Sequence, residues 1–108
     1  MLIVKKSPKI EPAHGGAGSR RLFVDNNEIE NIQGITHGYC PVGGSFAWHK
    51  HDDCNECMYV LAGAGVVRDA DGEYPFGVGD FFIFPRGVYH EQRNTGKTVF
   101  EAMFIRTK

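Results

Sequence analysis

The sequence contains no run of about 18 consecutive apolar residues, the length a membrane-crossing helix requires. No such helix and no membrane partner are therefore expected. Its start, Met1 to Lys6, lacks the basic leader, apolar stretch and small-residue cleavage site of a secretory signal. Neither sign of charge is in excess: 12 Lys and Arg stand against 13 Asp and Glu, a formal net charge of −1. The pI is near 6.5. That balance lacks the basic footprint of a nucleic-acid binder. The basic residues are also scattered, from Lys5, Lys6 and Lys9 to the pair Arg20 and Arg21, as solvated surface charge is. Cysteine is scarce and odd in number, at three. Together with the missing leader, this points to a reducing cytoplasm.

Helix-period patterning is scarce too. In its place stand 14 glycines and 8 phenylalanines, which suit an all-β chain punctuated by turns. The 108 residues suffice for one core but not for separate cofactor and substrate domains. Exposed strand edges are a hazard in so small a sheet, and closure into a barrel or pairing with a second copy removes them. A homodimer is the expected assembly.

In order along the chain, residues 1–10 alternate weakly and suit one strand, available for pairing with a partner subunit, with Pro8 and Pro12 keeping it from a sheet centre. Residues 13–19 read as a flexible glycine-rich connection. They lack the Lys-Ser/Thr ending and following helix of a phosphate-cradling loop, and His14 within them reads as solvent-exposed. Strands are expected over residues 20–24, 32–40, 66–69, 73–76 and 98–106, and no helix. Asp25 to Asn27, Pro41 to Gly44 and Gly77 to Asp80 read as turns. Gly63-Ala64-Gly65 reads as a tight hairpin, and Asp71-Gly72 as a two-residue hairpin turn.

Two stretches carry chemistry. In the first, His49 and His51 are two apart, so a strand there places both imidazoles on one face. A polar connection from Asp52 to Asn55 then leads to Glu56, at the head of a strand-like run. A carboxylate can thus return beside the imidazoles. In the second, the apolar strand Phe81 to Phe84 meets a Pro85/Gly87 turn and re-emerges as a polar strand carrying His90. Three imidazoles and one carboxylate suit a divalent ion. One that prefers five or six ligands keeps open positions for water, dioxygen or a pair of substrate oxygens.

The two stretches resemble the paired signature motifs of the cupin superfamily. The first, glycine, five residues, His-x-His, four residues, Glu, six residues, Gly, is met by Gly43, His49, His51, Glu56 and Gly63. The second, glycine, five residues, Pro-x-Gly, two residues, His, three residues, Asn, is met by Gly79, Pro85, Gly87, His90 and Asn94. The resemblance implies a double-stranded β-helix, a jelly-roll β-barrel, in which His49, His51, Glu56 and His90 hold a divalent metal, whether Fe, Mn, Ni, Co or Zn. It also implies one domain, with residues 31–108 as the barrel core and residues 1–30 as N-terminal strand and glycine-rich loop suited to dimer formation. Homodimers are common among one-domain cupins. The implied activity is that of a metal-dependent enzyme, a dioxygenase, isomerase or lyase, acting on a small oxygenated metabolite by chelation. The alternative is a non-catalytic cupin that binds or senses a sugar or carboxylate.

Further pocket candidates follow from parity. Gln92 shares the face of His90. His37, Tyr39 and Cys40 lie on a strand expected to line the cavity, with the inward set undecided. Cys54 precedes Glu56 directly enough to sit near the metal. Of Glu101 and Arg106, on opposite faces of the last strand, at most one looks inward. Trp48, adjacent to inward-facing His49, should face out. Two competing readings remain: surface pairing of Glu56 with Lys50, and a Cys54/Cys57 pair acting as zinc ligands with His49 and His51 or as a redox couple. Against the cysteine reading, Cys57 points away from the face of Glu56.

Overall fold

The computed structural model describes residues 2–108. Ten strands and one short turn of 3-10 helix follow the glycine and proline punctuation. They are β1 (Ile10–Ala13), the 3-10 turn (His14–Gly16), β2 (Gly18–Val24), β3 (Ile32–Cys40), β4 (Ser45–His49), β5 (Asn55–Ala62), β6 (Gly65–Arg68), β7 (Glu73–Phe76), β8 (Phe81–Phe84), β9 (His90–Arg93) and β10 (Phe100–Thr107). They form two antiparallel sheets, one ordered β1-β2-β3-β10-β5-β8 and one ordered β4-β9-β6-β7. The chain is an all-β double-stranded β-helix of the jelly-roll type.

Residues 2–9 form no strand. Pairing begins at Ile10, and Pro12 is tolerated because β1 is an edge strand. The last strand joins the sheet's two halves, pairing Phe104 with Thr36 of β3 and Met58 of β5. Two expected hairpins differ. Gly63 to Gly65 does not fold β5 back on itself: β5 and β6 lie in different sheets, so this turn crosses between layers. Gly63 has φ +83° there, and a Cβ would come within 2.7 Å of the Val99 carbonyl oxygen. The β6-β7 turn closes at Arg68 opposite Glu73. The Asp69 amide donates to the Gly72 carbonyl at 3.0 Å, so Ala70 and Asp71 are its centre. Asp69 Oδ1, accepting from the amides of Asp71 and Gly72, explains the shift.

Alternate residues of both sheets meet in a core of Cys40, Phe46, Met58, Val60, Val67, Phe76, Phe84, Phe100, Ala102 and Phe104. Burying each phenylalanine contributes about 1.5–3 kcal/mol. Trp48, Phe81 and Tyr89 stay at the surface. Trp48 faces out, stacking on Tyr89 with Arg68 over its ring at 4.7 Å.

Candidate metal centre

Strand β4 ends at His49, and β9 begins at its register partner His90. Strand β5 supplies Glu56, opposite Arg106 of β10 and Phe84 of β8. His51 lies two residues past the end of β4, in the loop that the second signature stretch secures. The Gly87 amide donates to the His51 carbonyl at 2.7 Å, and the Arg86 amide to Asn55 Oδ1 at 2.9 Å. Gly87 makes the first bond from φ +78°. Asn94, buried, donates to the carbonyls of Cys40 and Thr98 and accepts from the Gly96 amide. The signature therefore contains residues that fasten the loops as well as the candidate ligands.

Each of His49, His51, Glu56 and His90 presents one ligand atom, and these atoms lie within 4.8 Å of one another. The ring nitrogens away from the centre are engaged: His49 Nδ1 meets the Ala47 carbonyl at 2.6 Å, and His90 Nδ1 the Val88 carbonyl at 3.0 Å. Bonds of this kind fix tautomer and ring orientation in metal-binding histidines. The Nε2 atoms of His51 and His90 are buried without a hydrogen-bond partner. They face Glu56 carboxylate oxygens at 3.5 and 3.6 Å, too far for good hydrogen bonds. Buried polar atoms left in this way cost stability unless something else satisfies them. A divalent cation fits that requirement, and the donor set fits the cation.

The electrostatics agree. Burial alone would raise the pKa of Glu56, but the facing His51 and His90 and the nearby Arg106 outweigh it and hold the carboxyl at about 2. It is ionised and ready to bind a cation. Glu56 in turn pushes the His51 pKa up, whereas burial pushes that of His49 down.

Above the cluster is a cavity of about 550 Å³, lined among others by Gln33, Thr36, Gly38, Phe46, Gln92 and Phe104. Gln92 is among its lining residues. His37 and Tyr39 are not: the inward residues of β3 are Gly34, Thr36, Gly38 and Cys40. His37 and Tyr39 stack together on the other face, where His37 meets Glu101 at 2.9 Å and Tyr39 accepts from Arg21. Cys40 is buried in the core, and Cys54 is buried outside the cavity lining.

Two lining residues are not placed in the cavity by the sequence alone. His14 is exposed as a residue, but its ring lies flat on Phe46 at 4.1 Å and edge-on to His49 at 5.7 Å. Burial of that ring, with His49 nearby, pushes its pKa down to about 4. Nothing in a glycine-rich loop signals this. Of Glu101 and Arg106, Arg106 is the one that looks inward. The alternation Phe100, Ala102, Phe104, Arg106 was the available signal. Lys50 pairs with Asp52 at 2.9 Å rather than with Glu56. The cysteines are free, and among the described residues no metal-competent group includes one.

A cupin-domain family profile matches residues 38–106. The chain is 35% identical over 65 residues to an oxalate-binding protein of Thermotoga maritima, covering 60% of this chain and 54% of that one. It is 37% identical over 88 residues to germin-like protein subfamily 2 member 2 of Arabidopsis thaliana, covering 69% and 40%. The chain thus spans roughly half or less of the length of these curated relatives. Among solved structures, a Thermotoga maritima protein described as a predicted oxalate decarboxylase superposes with TM-score 0.85 at 24% identity, covering 98% of both chains. A sugar phosphate isomerase of the cupin superfamily from Silicibacter pomeroyi superposes with TM-score 0.75 at 21% identity, covering 88% and 62%. These two likenesses establish the fold. The profile match, over more than half of the chain, makes it a member of the cupin domain family.

Proposed function

We propose that this chain is a metal-dependent cupin enzyme in which His49, His51, Glu56 and His90 hold a divalent transition ion and a small oxygenated metabolite binds by chelation. The observation that carries this reading is the pair of buried, unpartnered Nε2 atoms of His51 and His90, converging with His49 on an ionised Glu56. Such an ion supplies Lewis-acid polarisation of a bound oxygen and open coordination positions, the basis of dioxygenase, isomerase or lyase chemistry. The chain's residues do the rest. The carbonyls of Ala47 and Val88 orient two imidazoles, and Phe46 and Phe104 exclude water from one side of the cavity.

A second reading, binding or sensing without turnover, is favoured by the oxalate-binding name of the 35%-identical relative. Metal analysis of protein purified without chelator, then oxygen uptake with Fe(II) against diols and keto acids, separates the two. Uptake identifies a dioxygenase, and turnover without oxygen an isomerase or lyase. Saturable binding with no turnover under Fe, Mn, Ni, Co or Zn leaves the sensing reading. Protein that binds none of these ions refutes both.

The proposed assembly is a homodimer. Its support is an outer sheet face on which Tyr59, Leu61, Phe81 and Ile83 are exposed, beside the open edge of β8. The proposed location is the cytoplasm, which suits three thiols that form no disulfide.

A further inference from the structure

Resting on the metal-dependent reading, we propose that Arg106 and Gln92 form a recognition subsite beside the four-residue cluster, built for a small carboxylate bearing a hydroxyl on the adjacent carbon. The first observation is charge. Among the residues lining the cavity, Glu56 is the lone carboxylate, and Arg20 and Arg106 are the two fixed cations. Arg20 is already engaged, its Nε donating to Glu11 at 2.8 Å. A divalent ion would exceed the single negative charge of Glu56, so the occupied cavity favours an anion.

The second observation is the setting of Arg106. Its side chain is 18% exposed, and its nearest carboxylate oxygen, on Glu56, is 3.6 Å away, outside hydrogen-bonding distance. No hydrogen bond from its guanidinium occurs among the described residues, so a fork of donors suited to bidentate carboxylate binding faces the cavity. Its seat is cut into the opposite strand: a Cβ on Gly34 would stand 2.6 Å from Arg106 Nη2. Any side chain at that position would push the guanidinium off its resting place.

The third observation is independent of charge. Gln92 is 1% exposed and lines the cavity, yet its Oε1 is buried with no partner. A buried amide oxygen left unpaired is costly, and a ligand hydroxyl donating to it removes that cost. Arg106 thus takes the carboxylate and Gln92 the neighbouring hydroxyl.

The test uses Co(II)-loaded protein and two probes of similar size, glycolate and the neutral hydroxyacetone, titrated by the visible absorption of the ion. Wild-type protein should bind glycolate more tightly. Arg106→Gln should weaken glycolate roughly 10- to 100-fold, the loss expected for a charge-assisted contact, while leaving hydroxyacetone within about threefold and Co(II) content unchanged. Gly34→Ala should weaken glycolate by a smaller factor in the same selective way. Gln92→Leu, checked for folding by its unfolding midpoint, should weaken both probes. Unchanged glycolate binding in Arg106→Gln, or equal weakening of both probes, overturns the subsite. Loss of Co(II) in that variant overturns it too, because Arg106 would then act by positioning Glu56. Wild-type protein that fails to hold Co(II) overturns the metal reading itself, a result distinguishable from all of these.

Discussion

The two faces of the six-stranded sheet are made by the same strands and differ in almost everything else. On β3 the inward residues are Gly34, Thr36, Gly38 and Cys40, and the outward ones include Ile35, His37 and Tyr39. On β5, Glu56, Met58 and Val60 turn in, and Cys57, Tyr59 and Leu61 turn out. The inward face is thus small or polar exactly where the cavity lies, because Gly38 makes room for the Phe104 ring and Gly34 for Arg106. The outward face holds more conspicuous chemistry, a stacked histidine and tyrosine with a glutamate, but no converging set of unpartnered atoms among the described residues. Chemical potential follows orientation and burial, not residue type.

The contrast can be broken most forcefully through packing. Phe104→Ala, on the inner face beside Phe46, should cost about 3–5 kcal/mol of stability, whereas Ile83→Ala, on an outer position 66% exposed in the single chain, should stay within about 0.5 kcal/mol when both are unfolded at concentrations dilute enough to separate any dimer. Denaturant unfolding of both variants measures the difference, and equal losses would mean that the outer face is core. Next in size is an imidazole-for-imidazole comparison. His90→Ala should weaken divalent-ion binding by roughly 100-fold or more, beyond the effect of losing an outer partner, with the barrel still folded. His37→Ala should leave binding unchanged. Equilibrium dialysis decides, and a metal-dependent loss in His37→Ala would sink the assignment of faces.

A smaller effect is expected for assembly. Charge introduced by Ile83→Lys, amid the exposed Tyr59 and Phe81, should halve the sedimenting mass without lowering metal content. A mass unaffected by that substitution would remove the outer face from the proposed dimer contact.

The ten signature positions were legible because each answers to a local demand. Gly43, Gly63, Gly79 and Gly87 all have φ between +75° and +90°, Asn94 satisfies the carbonyls of Cys40 and Thr98, and the four residues of the candidate metal cluster keep fixed spacing across strands. The inward face of β3 was not legible. Its cavity side is marked by glycines and a threonine, so the more apolar and aromatic side misleads any reading by hydrophobic alternation. Arg106 was half legible: parity separated it from Glu101 without saying which face was inner. His14 was not legible at all, since only the β1-β2 hairpin docking on Phe46 brings that loop over the cavity. The Gly63-Gly65 turn misled for a related reason, because a glycine-rich turn reads the same whether it closes a hairpin or changes sheets.

The smallest expected effect is the most discriminating for the sulfur alternative. Cys57 lies on the outer face of β5, paired in register with Ile83 and Ile105, while Glu56 beside it turns to the cavity. Burial raises the pKa of this thiol, so at neutral pH it is a poorer metal ligand than an imidazole. Cys57→Ser should therefore change stability by no more than about 0.5 kcal/mol and leave the metal-to-protein ratio as it was. Iodoacetamide should modify the half-buried Cys57 in folded protein before the fully buried Cys40 and Cys54. A fall in metal content in Cys57→Ser would require β5 to present adjacent residues to one ion, which strand alternation forbids. The separation of faces would then fail at its central strand.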